Sequence, residues 1–263
     1  MYKRQGHGLP FDSEGMKERY PDIFFSQFTG AELVADKWNL SREDLDQFAL
    51  ESHQKAAQAT ESKYFDREIL PVEGKNAEGI NDLVMADEGI RFDASLDKLA
   101  GLNPVTEGGK ITAGNASQIT DGAAAVLICN DAGLKKIKSN PRAEIVSISV
   151  VGDDPVFMLT GPIPASHKAL DIAKLSIDDM DIYEVNEAFA PVPLAWAEEL
   201  KADRSKLNVN GGAMALGHPL GATGAKLMTT MLHELERRKG KYALQAICEG
   251  GGTANATIIK RVS

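Results

Sequence analysis

A chain of 263 residues that is 43% hydrophobic and 25% charged holds enough apolar material for one large or two modest domains. Its 38 acidic against 29 basic residues leave a formal net charge of -9, which offers no basic footprint for a polyanionic backbone and argues against nucleic acid as a partner. Two cysteines, Cys129 and Cys248, are too few for a stapled secreted framework and no apolar run reaches bilayer length, so a reducing, cytoplasmic setting away from membranes is expected.

The first ten residues contain no apolar core of the signal-peptide kind, and Met1 to Gln5 opens into Gly6-His7-Gly8 without a helix or strand signal. Residues 1–5 read either as a cloning scar or truncated reading frame, or as an ordinary frayed terminus. Helices are predicted between residues 27 and 70. Apolar residues recur at helical spacing from Phe28 to Ala35, and Ser41 stands as the N-cap of a second helix whose stripe of Leu45, Phe48, Ala49 and Ser52 reaches toward Ser62. Lys55, Glu61 and Lys63 fall on its wet side. From Val72 to Thr112 the chain is polar and broken by glycine, which predicts excursions and short strands of an insertion.

Ala123 to Cys129 is a continuous apolar run of strand length, predicted as a strand buried on both faces, with Cys129 in the core. A helix is expected near Asp131 to Ser139 and an alternating strand from Ala143 to Val150. Then follow a helix (Pro164 to Leu175), a strand (Asp181 to Val185), a helix (Ala188 to Leu200) and a short strand (Leu207 to Asn210). A helix from Ala222 to Arg238 with Leu227, Met231 and Leu235 on one side precedes two last strands, Tyr242 to Cys248 and Ala254 to Ile259. Strands alternating with helices predict an α/β layered sandwich, a mixed β-sheet covered by helices.

Three stretches carry chemistry. Gly211 to Ala225 places five glycines around His218 ahead of a helix, a pattern that lets a ligand approach the main chain beside an imidazole and a helix N-terminus. A tight strand-to-helix turn with a histidine of no special function is the bland alternative. A dinucleotide-binding loop fits poorly, because a Gly-x-Gly-x-x-Gly frame is missing from Gly211 to Gly217 and a His-Pro pair has no part in cradling pyrophosphate. Cys248-Glu249-Gly250-Gly251-Gly252 ends a strand with a thiol and free backbone N–H groups, suited to a base or nucleophile beside an oxyanion hole, or else to a buried cysteine at a glycine turn. Asn186-Glu187-Ala188-Phe189 follows a strand; Asn186 can hold a water or carbonyl and Glu187 can orient an imidazole, although Asn is also a common N-cap.

In order and spacing the three resemble the thiolase family: Asn186 lies 32 residues before His218, and Cys248 lies 30 after it. Thr112-Ala113-Gly114-Asn115-Ala116-Ser117, Asp121 to Ala125 and Thr160-Gly161-Pro162-Ile163-Pro164-Ala165 are similar to the same family, and the likeness runs from about Gly30 to Ile259. Chain order then implies part of a loop domain in residues 1–114, the end of the N-terminal core domain in 115–133 and the C-terminal domain in 134–263.

The resemblance implies acyl transfer between coenzyme A thioesters by reversible Claisen condensation, with thiolysis of a 3-ketoacyl-CoA giving acetyl-CoA. It implies no metal and no cofactor beyond the thioesters. Cys248 would exchange the α-carbon proton, His218 would activate the nucleophile and donate to one oxyanion, Asn186 would hold a water there, and the Gly250 N–H would serve the other oxyanion. Ser117 would touch the pantetheine arm, Arg91 the nucleotide end, and Met158, Ala188 and Phe189 the acyl group. Acyl-CoA and free CoA are the implied ligands, and a homodimer or homotetramer the implied assembly at full length. The nucleophilic cysteine of the family would lie upstream of these residues, so the chain is expected to be a fragment inactive alone. Thr253-Ala254 stands where many members have Met-Gly, and the Pro104-Val105 segment lacks a common aromatic, which leaves chain-length preference open. Ketoacyl synthases and hydroxymethylglutaryl-CoA synthases carry histidine or glutamate at the place of Cys248; a non-catalytic, thiolase-like acyl-CoA or lipid-binding protein is the remaining alternative.

Overall fold

The computed structural model describes residues 11–75 and 79–262, so the reading of residues 1–5 lies outside what is described. Three helices come first: α1 (Glu14–Arg19), α2 (Gln27–Lys37) and α3 (Arg42–Glu61). Ser41 caps α3 through a reciprocal capping box with Asp44, and Leu45, Phe48, Ala49, Ser52, Ala56 and Ala59 form its buried face. Lys55, expected on the wet side, is half-buried because its ammonium donates to the Leu207 carbonyl at 3.1 Å. The polar stretch that follows forms an antiparallel hairpin, β1 (Val72–Lys75) with β2 (Asn81–Val84), and one short helix, α4 (Leu96–Ala100).

Beyond α5 (Asp131–Ile137), strands and helices alternate as β3 (Ala143–Gly152), α6 (Pro162–Ala173), β4 (Ile182–Val185), α7 (Pro191–Glu199), α8 (Ala213–Leu216), α9 (Thr223–Arg238), β5 (Tyr242–Cys248) and β6 (Thr253–Arg261). The four long-range strands form one mixed sheet in the order β3-β6-β5-β4, with β4 and β5 parallel and the other pairs antiparallel. Period-two alternation divides the sheet between two cores. Tyr183, Val185, Leu244, Ala246, Ala256 and Ile258 join a large cluster with residues of α2, α3, α6 and α7, whereas Ile182, Ala243 and Ile259 pack with Met231 and Leu235 of α9. All four residues of β4 are buried, as expected for a strand covered on both faces. The edge strand β3 turns its serines inward: Ser147 and Ser149 donate to the Ala169 and Ala165 carbonyls of α6 at 2.8 and 2.7 Å, and Ile148 and Val150 face solvent.

Two expected strands are absent. Ala123 to Cys129 forms no strand, and Leu127 and Ile128 are 76% and 63% exposed. An apolar run becomes a strand only where a neighbour completes its hydrogen-bond ladder, and no strand among the described residues pairs with it. Cys129, assigned to the core with that run, is exposed for the same reason. Leu207 to Asn210 is likewise not a strand but a pair of isolated bridges, Tyr183 with Leu207 and Val209 with Gly211, because the chain turns back after one contact.

Candidate functional site

The parallel pairing of β4 with β5 sets Val185 opposite Ala246, so both strands run out at the same edge of the sheet. That edge is where open α/β sheets place their ligands. Asn186, the first residue past β4, donates its backbone N–H to the Ala246 carbonyl at 3.0 Å, and Cys248 ends β5 two residues further on. The strand register thus ends both strands within a few residues of each other at this edge, with Asn186 just past one and Cys248 the last residue of the other.

The glycine-rich segment is tied to this edge by a buried carboxylate. Glu187 accepts from the Ser52 hydroxyl of α3 at 2.6 Å, from the Asn208 amide at 2.9 Å and from the Met214 backbone N–H at 3.2 Å. Ser52 Oγ in turn accepts from the Gly212 N–H at 3.1 Å. A Cβ on Gly212 would lie 2.2 to 2.6 Å from the Glu187 carboxyl, so only glycine lets the main chain approach. Burial pushes the Glu187 carboxyl up although its three hydrogen bonds pull the other way.

Held by that anchor, the segment delivers His218. Its backbone N–H donates to the Gln118 carbonyl at 3.2 Å, Nε2 lies 3.3 Å from the Asn186 amide nitrogen, and Nδ1 lies 2.7 Å from Thr223 Oγ1. The ring is half-buried, and burial lowers its pKa, so it is a neutral imidazole near pH 7. Asn186 Oδ1 is buried without a hydrogen-bond partner among the described residues, an acceptor that a ligand or water would satisfy.

Cys248 is 8% exposed, and burial pushes its thiol up to about 12. The residue is therefore a protonated thiol at neutral pH, able to give a proton rather than a standing thiolate. The turn behind it needs left-handed backbone at Gly251, with φ of 76°, and Gly250 faces open space. Glu249 braces the turn by accepting from the Thr253 hydroxyl at 3.2 Å and the Asn255 amide at 2.6 Å.

The other predicted residues fall into two groups. Met158, Ala188 and Phe189 lie with Cys248 in one apolar cluster, and Phe28 of α2 meets Phe189 edge-on at 5.4 Å. Ser117 joins them through its backbone N–H to the Ala188 carbonyl at 2.9 Å. Arg91 stands apart on an exposed loop, its backbone N–H donating to His53 Nδ1 at 3.1 Å. Gln118 bridges that loop to the glycine segment, donating to both the Gly89 and Met214 carbonyls at 2.7 Å. Sequence reasoning missed Ser52, Gln118 and Thr223. A hydroxyl in an apolar helix stripe was the available signal for Ser52; Thr223 stood five residues after His218 at a helix start.

The profile described as "Thiolase, C-terminal domain" matches residues 139–261 and that described as "Thiolase, N-terminal domain" matches 10–132, most of the chain between them. The chain belongs to the thiolase family. A steroid 3-ketoacyl-CoA thiolase of Mycobacterium tuberculosis is 55% identical over 95% of this thiolase-family chain and 60% of its own length. An acetyl-CoA acetyltransferase of Paracoccus denitrificans is 43% identical over 94% of the chain and 63% of its own. The crystal structure of human mitochondrial 3-ketoacyl-CoA thiolase superposes with a TM-score of 0.86 at 45% identity, covering 89% of this chain and 59% of that one. A crystal structure of the same human enzyme in complex with CoA matches with a TM-score of 0.82 at 44% identity, over 89% of this chain and 58% of that one. The chain thus spans about three fifths of the length of the relatives it matches.

Proposed function

We propose that this chain supplies the acid/base and oxyanion-binding half of a thiolase, for reversible Claisen condensation and for thiolysis of a 3-ketoacyl-CoA to acetyl-CoA. The observation that carries the reading is the Asn186–His218 pair set beside the end of the strand bearing Cys248. In thiolysis, a thiolate outside these residues attacks the 3-keto carbon and the bond between it and the α-carbon breaks. Cys248 then protonates the α-carbon of the departing acetyl-CoA. His218 first takes the proton of the attacking thiol at Nε2 and then offers that N–H as a hydrogen bond to the oxyanion, beside a water held by Asn186, so the oxyanion keeps the electron pair that re-forms the carbonyl as the carbon–carbon bond breaks. The Gly250 N–H serves the thioester oxygen as its enolate forms.

Met158, Ala188 and Phe189 receive the acyl group, Ser117 the pantetheine arm and Arg91 the nucleotide end. Support comes from their common cluster and from the Gln118 bridge. The acyl-accepting cysteine is supplied by residues other than these 263. Cys129 is exposed in a run without a strand partner, and Cys248 has the protonation state of an acid. The division at 133 between N-terminal core end and C-terminal domain is supported by the break between the two profile matches, and the division at 114 from a loop-domain part rests on the resemblance alone. A homodimer or homotetramer in the cytoplasm fits the family and the two unpaired cysteines.

The test uses the complete reading frame that encodes this chain. Cys248→Ala is expected to abolish carbon-carbon exchange, measured as thiolysis of a 3-ketoacyl-CoA, while acylation by a 3-ketoacyl analogue persists in mass spectra. Unchanged thiolysis removes Cys248 from the mechanism. Loss of acylation in the unsubstituted protein would favour the non-catalytic, acyl-CoA-binding reading.

A further inference from the structure

The proton position on His218 is set by a residue that the proposed thiolysis does not use. We propose that Thr223 is a positioning residue that holds His218 in the Nδ1–H tautomer, so that Nε2 presents its lone pair toward Asn186 and the thioester site. The inference rests on the reading of His218 as a proton acceptor.

Donors and acceptors decide between the tautomers. Thr223 Oγ1 lies 2.7 Å from His218 Nδ1 and 3.0 Å from the Pro219 carbonyl oxygen. A hydroxyl has one hydrogen. A carbonyl can only accept, so when the Thr223 hydrogen is given to Pro219 the remaining contact must be Nδ1–H donating to Oγ1. The Asn186 amide, 3.3 Å from Nε2, then donates to the Nε2 lone pair, and each close contact of the ring has one donor and one acceptor.

The opposite arrangement leaves the costlier groups unpaired. With the proton on Nε2, Thr223 must give its hydrogen to Nδ1, and Asn186 must turn its amide over to offer oxygen. The NH2 group would then occupy the buried place where Oδ1 has no hydrogen-bond partner. Both amide N–H groups would then stand without acceptors, where the observed orientation leaves one N–H and the oxygen, and an orphaned buried donor is the rarer and costlier kind. Thr223 is itself held firmly in place, because it is buried at the first turn of α9 and its own backbone N–H also donates to the Pro219 carbonyl, at 2.9 Å.

The consequence is chemical. A neutral histidine with its lone pair at Nε2 takes the proton of an incoming thiol at that atom and afterwards presents Nε2–H to an oxyanion. In the other tautomer the same nitrogen would already carry a hydrogen and could not accept the first proton.

The ring itself reports the answer. Two-bond proton–nitrogen correlation spectra of the 263-residue chain, with His218 assigned by His218→Gln, distinguish the two tautomers above the histidine's titration range. Protonated-type nitrogen at Nδ1 and lone-pair-type nitrogen at Nε2 are expected in the unsubstituted chain. Thr223→Val should lose that pattern toward the Nε2–H form that free imidazole side chains prefer in water, and Thr223→Ser should restore it. Thr223→Ala serves if the valine variant does not fold. An Nε2–H or averaged ring in the unsubstituted chain, or an Nδ1–H ring that survives Thr223→Val or Thr223→Ala, overturns the proposal. Because no turnover is read, a failed thiolase assay leaves this result standing, and an Nε2–H ring sinks Thr223 without touching the family reading.

Discussion

The two thiols differ in the one property that decides reactivity toward an alkylating agent, access to a thiolate. Cys129 is exposed, whereas Cys248 is buried with its thiol pushed up to about 12, so little thiolate exists at neutral pH and little of it meets solvent. Iodoacetamide at about pH 7.5, below the ordinary thiol range, should therefore label Cys129 alone in the folded chain and both residues in denaturant, read by intact mass and peptide mapping. Fast labelling of Cys248 in the folded chain would mean that its pKa is not raised. The thiol at position 248 was visible in the sequence through its glycine neighbours. Its protonation state was not, because it follows from the strands and helices that exclude water around it.

Within the sheet, β4 and β5 meet at an unusual pair. Their register sets Glu184 opposite Gln245, and Oε1 of each is buried with no hydrogen-bond partner among the described residues. Burial, then the nearby Glu187, raises the Glu184 carboxyl well above its ordinary 4.5, so it is held as a neutral acid carrying a hydrogen that the pair can use. The sign of the pH effect follows. The folded state keeps this proton to higher pH than the unfolded chain does, so its contribution to stability is fully present below about pH 4.5 and is lost as pH rises through the folded value. Glu184→Gln, which cannot ionise, should flatten the decline in melting temperature on the alkaline side. An unaltered decline would place the titrating group elsewhere.

Elements of this kind were legible where their pattern is local. The stripe of α3 and the runs of β3, β5 and β6 are set by spacing a few residues apart. The Ser52–Glu187 contact joins residues 135 apart, and no periodicity reports it. The segment 123–129 failed in the opposite sense: its composition is that of a strand, but the ladder it needs must come from elsewhere in space.

At the scale of the molecule that failure leaves apolar surface in water. Ile119, Leu127 and Ile128 are all exposed, in a stretch of irregular chain, and a surface of this kind favours self-association. The isolated chain should sediment as a concentration-dependent mixture. Replacing Leu127 and Ile128 with Asp should shift it toward monomer with little change in melting temperature, because neither side chain belongs to a core cluster. A large drop in melting temperature would show that the segment packs after all.

One turn of α3 carries two neighbouring residues with different correspondents. Ser52 holds Glu187 and Gly212 behind His218, and His53 receives the backbone N–H of Arg91. The helix thus joins the place where a nucleotide would be gripped to the place where a proton would be moved. On the proposed roles of Arg91 and His218, affinity and rate would share a mechanical part, and a change that tilts this turn of helix would alter both at once.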